Sequence, residues 1–169
     1  TVDVNAQTLP AGSTLDSTVG IYQPVFTPGG TLIGANLVAS NLDDPQTNDS
    51  YLQFVAPDSG DYFVVVHGFG PNFLSNPLNS QTGPGVGTVG EYEVVISLDD
   101  FVVPGASTVT SGEDDGSLPL ANDSTIVDEG VVVTAGNIGD GPFGDSSGDY
   151  DWYRLSIPNI GNGKVITVD

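Results

Sequence analysis

The chain has 169 residues, of which 22 are acidic and only two, Arg154 and Lys164, are basic, so its net charge at pH 7 is −20. This balance argues against nucleic acid as a partner and against an anionic membrane surface, because no basic patch is available to neutralise phosphates. Cysteine is absent, which excludes disulfides and thiolate metal sites. No apolar run has the length of a membrane span, so we expect no membrane insertion.

Alternating apolar residues between turns rich in Gly and Pro predict β-strands along the whole chain. The residues predicted to face a core are, in chain order, Leu15, Ser17, Val19 and Ile21; Leu52, Phe54 and Ala56; Tyr92, Val94, Ile96 and Leu98; and Tyr153, Leu155 and Ile157. Residues 62–66 are apolar on both faces and predict a central, doubly covered strand, and residues 131–133 predict one more strand. We therefore predict an all-β fold, a jelly-roll-like antiparallel β-sandwich.

The composition changes near residue 100. Residues 101–117 are small, polar and acidic, which is typical of a linker, and we expect Asp114 and Asp115 within it to face water. Residues 1–100 are predicted to supply the C-terminal strands of one sandwich. Residues 118–169 are predicted to supply the N-terminal strands of the next copy.

The tripeptide Thr-Val-Asp occurs at residues 1–3 and again at residues 167–169. Superposing the two copies gives one strand with unbroken alternation of faces, and a slip of one residue would invert them. The residues of this predicted assembly strand are Lys164, Ile166, Val168, Val2, Val4 and Ala6. The subtraction 167 − 1 predicts a repeat of 166 residues in a longer polypeptide, and the absence of Met predicts that Thr1 is not a translation start.

We expect neighbouring copies, joined head to tail in a filament-like array, to complete the assembly strand between them. The alternative is that residues 118–169 fold back on residues 1–100 of the same chain, as in a circular permutant. The two Thr-Val-Asp tripeptides would then compete for one position in the sheet.

When the sequence is followed across the joint between two copies, from residues 118–169 of one to residues 1–100 of the next, short motifs appear in a characteristic order. These motifs are Asn122-Asp123, residues 149–153 (Asp-Tyr-Asp-Trp-Tyr), the strand from residue 163 through residue 4, Leu15-Asp16, residues 56–62 (Ala-Pro-Asp-Ser-Gly-Asp-Tyr) and residues 90–92 (Gly-Glu-Tyr). In this order and spacing the chain resembles the bacterial pre-peptidase C-terminal domain family. The resemblance implies a jelly-roll-like sandwich, secretion to the extracellular space or cell surface, and occurrence in tandem. It is also similar to collagen-binding modules that hold calcium near the start of the domain, but Leu120 and Ala121 stand where those modules carry acidic residues.

Clusters of Asp and Asn in loops predict calcium sites, because calcium takes six to eight oxygen ligands in flexible geometry. The candidate ligands are Asp43, Asp44, Asn48 and Asp49; Asn122 and Asp123; and Asp140, Asp145, Asp149 and Asp151, with a further cluster at residues 113–115. For any one cluster the alternative is that Asp and Asn only build turns and caps. We expect calcium at one site or more, since so many loop carboxylates need compensation.

No motif indicates catalysis. His67 is the only histidine, and it ends an apolar strand without a Gly-x-Ser-x-Gly motif elsewhere, so we expect a packing role and no enzymatic activity. Trp152 could form an exposed patch that stacks on a surface polymer, or pack under a loop. We expect a structural repeat of a secreted extracellular fibre, stalk or surface protein. The alternative is an adhesive or substrate-targeting module of a secreted enzyme such as a peptidase.

Overall fold

The computed structural model describes residues 3–7, 9, 12–42, 47–70, 76–80, 87–98, 114–127, 130–141, 149–158 and 163–168. Within these ranges the chain forms ten β-strands and one 3-10 turn at Leu118–Leu120, with no α-helix. In this part of the chain no helix is long and apolar enough to cross a membrane. The strands are β1 (Asp3–Asn5), β2 (Ser17–Phe26), β3 (Leu32–Asn41), β4 (Leu52–Ala56), β5 (Gly60–Gly68), β6 (Gly90–Leu98), β7 (Asn122–Val127), β8 (Gly130–Ile138), β9 (Tyr150–Ile157) and β10 (Lys164–Val168).

The strands form two five-stranded sheets that pack face to face. In the first sheet β6 pairs with β8 on one side and with both β10 and β1 on the other, and β10 pairs with β4. The second sheet has the order β3-β2-β5-β9-β7, antiparallel except for the β7–β9 pair. The all-β sandwich predicted from the sequence is therefore confirmed.

The core between the sheets is built from the predicted inward faces. Every residue of those faces is buried except Phe54, which is half-buried and packs against the same core. Val132 joins the core from the strand predicted at residues 131–133. Glu91 and Glu93, which alternate with buried residues of β6, are exposed. Strict alternation was thus a sufficient signal wherever one face meets the core and the other meets water.

A second apolar cluster covers the outer face of the β3-to-β7 sheet. This outer cluster consists of Tyr22, Phe63, Val65, Leu118, Tyr150 and Trp152. Leu78 and Ala121 pack on it from the segments that cross this face. Phe63 and Val65 meet the outer cluster while Tyr62, Val64 and Val66 meet the inner core, which explains why residues 62–66 are apolar on both faces. The central strand predicted there is confirmed as β5, the middle strand of its sheet.

Strand β3 was not predicted, and its pairing explains why. Its register with β2 skips Ile33, between Leu32 and Gly34, and Val38, between Leu37 and Ala39. Each β-bulge shifts the alternation of faces by one residue. An edge strand with two such shifts has no sustained period of two, which is the signal on which strand prediction depends.

Candidate functional site: a split strand and a buried acidic centre

Strands β10 and β1 lie end to end along the same edge of β6. Val168 is opposite Ile96, and Asp3 is opposite Val95, the next residue of β6. Asp3 therefore occupies the position that would follow Val168, an offset of 169 − 3, or 166 residues. The same offset superposes the two Thr-Val-Asp tripeptides. We call β10 followed by β1 the split strand.

The other edge of the split strand is also in continuous register. Val168 is opposite Leu52 on β4, and the backbone N–H of Val4 donates to the carbonyl oxygen of Ser50 at 2.6 Å. Counting back from Leu52, Ser50 is the residue expected opposite Val4 if the two pieces were one strand. The break between β10 and β1 therefore interrupts neither neighbouring ladder.

The predicted alternation of the assembly strand agrees with burial wherever the side chains are described. Ile166, Val4 and Ala6 are fully buried in the inner core, and Lys164 is half-buried. Val168 belongs to β10, and Val2 lies outside the described residues. In this single chain residues 163–168 and 3–5 complete the strand together, as in the intramolecular arrangement considered above.

Asp49 fixes the turn that follows β1. Its Oδ1 accepts hydrogen bonds from the backbone N–H groups of Ala6 (3.1 Å) and Gln7 (3.0 Å), and the side chain is only 1% exposed. Ser50 extends this support, because its N–H donates to Ser17 Oγ and its hydroxyl donates to the Ser17 carbonyl. Asp49, a predicted calcium ligand, thus holds the start of the chain against β2 and β4.

A group of polar side chains, which we call the acidic centre, lies at one end of the inner core, and all of them are buried except Asn122, which is half-buried. Its members are Asp115, Asp151, Asn122, Tyr92 and Tyr153. The Tyr92 hydroxyl donates to Asp151 Oδ2, and the hydroxyls of Tyr92 and Tyr153 are 2.8 Å apart. Asn122 Nδ2 donates to Asp115 Oδ2, and the carboxyl groups of Asp115 and Asp151 are close enough for each to influence the pKa of the other.

The expectation that Asp115 faces water is wrong. Asp115 and Asp151 are each 3% exposed, whereas Asp114 is exposed as expected. Nothing in the local sequence signals this burial, because Asp115 reaches the acidic centre through a tertiary contact with β7 and β9. The inward tyrosines at positions 92 and 153 gave the available hint, since buried Tyr hydroxyls require polar partners.

Burial controls the protonation of both carboxyl groups. Burial raises the pKa of Asp151 well above its usual range, and the neighbouring charge of Asp115 raises it further. Burial likewise raises the pKa of Asp115 to about 7, although the hydrogen bonds from Asp151 and Asn122 oppose the shift. The raised pKa values disfavour a state near neutral pH in which both carboxyl groups are ionised, and a bound cation could compensate the same charge.

The acidic centre meets the oxygen preference of calcium in part. Asp115, Asp151 and Asn122 offer carboxylate and amide oxygens at a buried position. No group of three or more Asp, Glu, His or Cys side chains in the described ranges is arranged to hold a metal ion. Asp115, Asp151 and Asn122 could therefore supply only part of a calcium shell, with backbone or water oxygens needed for the rest.

Among the other predicted ligands, Asp149 lies near enough for its charge to raise the pKa of both Asp115 and Asp151, but its carboxylate is bound by backbone N–H groups. Asp149 Oδ2 accepts from the N–H groups of Gly139 (2.8 Å) and Gly141 (3.2 Å), which builds the turn before β9. Asp123 Oδ1 accepts from the N–H of Thr125 (2.9 Å), a residue with a positive φ of 60°. Both contacts match the turn-building alternative. Asn48 and Asp140 are exposed, and Asp43, Asp44 and Asp145 lie outside the described residues.

His67 and Trp152 both pack in the structure. Burial lowers the pKa of His67 to about 4, its Nδ1 lies 2.8 Å from the carbonyl oxygen of Gly68, and its ring centroid lies 5.2 Å from that of Tyr150. Trp152 is fully buried, with its ring centroid 5.1 Å from that of Tyr22. Trp152 therefore does not form an exposed patch.

Comparison with protein-family models, with curated proteins and with solved structures finds no match for this chain.

Proposed function

We propose that this chain is a non-catalytic structural repeat of a secreted extracellular fibre, stalk or surface protein, assembled head to tail. The observation that carries the proposal is the split strand. In a tandem polypeptide with a period of 166 residues, Val168 of one copy would be followed directly by the residue equivalent to Asp3 of the next. The strand would then run unbroken through the sheet without any change of register.

In such an array each sandwich would combine residues 118–168 of one copy with residues 3–98 of the next. These are the same two parts that form the sandwich within this single chain. The interface between them contains Tyr153, Leu155, Ile157 and Ile166, all fully buried. Burial of each such side chain is worth roughly 1.5–3 kcal/mol. The joint between copies would therefore be as stable as a domain interior.

Calcium fits this proposal as a stabilising ion at the acidic centre. Asp115 and Asp151 repel each other when both are ionised, and Arg154 forms its ion pair with Asp61 instead, at 2.9 Å. Asp115 precedes β7 and Asp151 lies in β9, so an ion held there would fasten the segment after the linker to the sandwich.

Tandem polypeptides of known copy number test the proposal directly. Chains of one, two, three and four copies with the 166-residue period should remain soluble, and their maximum dimension in small-angle X-ray scattering should rise by a constant increment with each copy. The matched control carries Ile166→Asp in every copy and should lose this regular growth. A four-copy chain that forms one compact particle, or one whose size does not depend on Ile166, would contradict the head-to-tail repeat.

The alternative, an adhesive or enzyme-targeting module, is favoured by no specific feature of the described residues. It was motivated by the resemblance to the pre-peptidase C-terminal domain family. An exposed aromatic patch at Trp152 would have supported it, but Trp152 is buried in the outer cluster.

A further inference from the structure

Strand β3 is an edge strand whose outer side has no hydrogen-bonded neighbour among the described residues. Within the described ranges it pairs with β2, and no further backbone hydrogen bond between described residues involves Leu32–Asn41. Its ten residues include no charged side chain and no proline. Edge strands are commonly protected from pairing by charged residues, proline or β-bulges. Strand β3 has neither charge nor proline, and its two bulges flank the regular stretch from Gly34 to Leu37.

The exposed apolar residues of the chain concentrate on the side of the sandwich where β3 lies. Strands β3 and β4 contact each other there, and the Asn41 side chain donates to the carbonyl oxygen of Tyr51. Six of the ten large hydrophobic side chains exposed among the described residues lie on these two strands or next to them. They are Phe26, Ile33, Leu37, Leu42, Tyr51 and Val55, each between 41% and 59% exposed.

The other edge of the same sheet is protected. Strand β7 carries the charged Asp123 and is interrupted at Thr125, whose φ is 60°, and its register with β9 is broken there. The two bulges of β3, at Ile33 and Val38, leave the stretch from Gly34 to Leu37 in regular register between them. This stretch carries no charge, and the exposed Leu37 lies at one end of it.

We propose that β3 is a lateral interface at which a second copy of this chain pairs antiparallel, edge to edge, and joins two five-stranded sheets into one of ten strands. Antiparallel pairing of identical strands is related by a two-fold axis, so it satisfies the free N–H and C=O groups of both edges at once. This inference does not depend on the head-to-tail proposal. It would connect neighbouring chains sideways.

The charge of the chain supports a second copy as the occupant. Two chains of −20 repel each other at long range, so contact is least costly where the facing strands carry no charge, and β3 and β4 carry none. A basic partner would instead be drawn to the acidic loops. Because the Debye length falls from about 10 Å at 0.1 M salt to about 3 Å at 1 M, added salt should strengthen pairing between copies and weaken any complex held by opposite charges.

Sedimentation velocity of the whole chain tests the proposal at 0.05 M and 1 M NaCl over a range of concentrations. A reversible dimer should form, with tighter association at high salt. Leu37→Glu places two charges near the two-fold axis and should weaken the dimer by about tenfold or more. The matched control is Val127→Glu, which adds the same charge at a similarly exposed site on the opposite edge strand β7 and should leave the dimer unchanged. Thermal melting of both variants verifies that they fold.

Hydrogen exchange locates the contact independently of the variants. Amides of Gly34–Leu37 should exchange more slowly at high protein concentration than at low concentration, while those of β7 should not change. A single monomeric species at every salt concentration would overturn the proposal. So would association that weakens with salt, association equally sensitive to both variants, or aggregation that Leu37→Glu does not reduce.

Discussion

Asp115 and Asp151 place two carboxyl groups in one buried position, where only one of them can easily be charged. The raised pKa of each means that the folded chain binds protons which the unfolded chain has already released. Stability contributed by this pair is therefore greatest below the unfolded pKa, near pH 4, and is lost as the pH rises through about 7. This pH dependence of stability is opposite to that of a carboxylate held in a salt bridge, which loses its stabilising effect as the pH falls.

The variant Asp115→Asn isolates this effect, because asparagine keeps the shape and remains neutral. We expect it to match the wild type near pH 4 and to be more stable at pH 8 by on the order of 2–4 kcal/mol. Urea denaturation at both pH values in the presence of a chelator measures the difference. Asp123→Asn, at an exposed position on β7, is the control and should show no such gain. Equal stabilities of wild type and Asp115→Asn at pH 8 would contradict the raised pKa of Asp115.

Calcium should reduce the stability difference between the wild type and Asp115→Asn if it binds at the acidic centre. At pH 8 and millimolar calcium the wild type should gain about 2.7 kcal/mol at a concentration one hundred times the dissociation constant, and Asp115→Asn should lose most of that gain. Asp123→Asn should retain it. Melting temperatures that are identical with calcium and with chelator would contradict the proposal that calcium stabilises this chain.

At the scale of single strands, the split strand could be predicted and β3 could not. The split strand was predictable because its repeated tripeptide and its alternation, seen in Ile166, Val4 and Ala6, gave the same register. Strand β3 was missed because two bulges interrupt its alternation. The acidic centre was predicted only in part, through Asn122 and Asp151, since the burial of Asp115 depends on how distant segments pack.

Ile166 is the most informative residue of the split strand for stability. It is fully buried and lies between Phe54 of β4 and Leu98 of β6. Replacing it by Asp removes a large apolar side chain and buries an unpaired charge, so we expect a loss of about 4 kcal/mol or more. Val55→Asp, a 59% exposed residue on the adjacent strand β4, should change the free energy of unfolding by less than about 0.5 kcal/mol. Similar losses in the two variants would show that the split strand does not hold the sheet together.

For the molecule as a whole, the break between β10 and β1 lies inside a sheet, and it separates two parts of the chain that form the sandwich together. Strands β1 to β6 and β7 to β10 contribute to both sheets, so neither part can bury its apolar face without the other. The sequence alone placed the division near residue 100 from composition. It could not establish which partner, the same chain or a neighbour, completes the sandwich, because both supply identical contacts.

A circularly permuted chain tests whether β10 and β1 behave as one continuous strand. Residues 114–168 joined directly to residues 3–98 keep every described strand and the acidic centre, and the new peptide bond between Val168 and Asp3 falls where the register is already continuous. We expect this chain to fold as a cooperative monomer, more stable than the 169-residue chain because β1, only three residues long, becomes part of a longer strand. Hydrogen exchange at the Val4 amide, which donates to Ser50, should slow in parallel with the rise in melting temperature. A second permuted chain, with one extra glycine between Val168 and Asp3, is the control. The insertion shifts the alternation of inward and outward side chains by one residue, so this chain should lose most of the gain in stability. If both permuted chains are equally stable, the register match between β10 and β1 does not reflect one continuous strand, and the tandem repeat loses its main support.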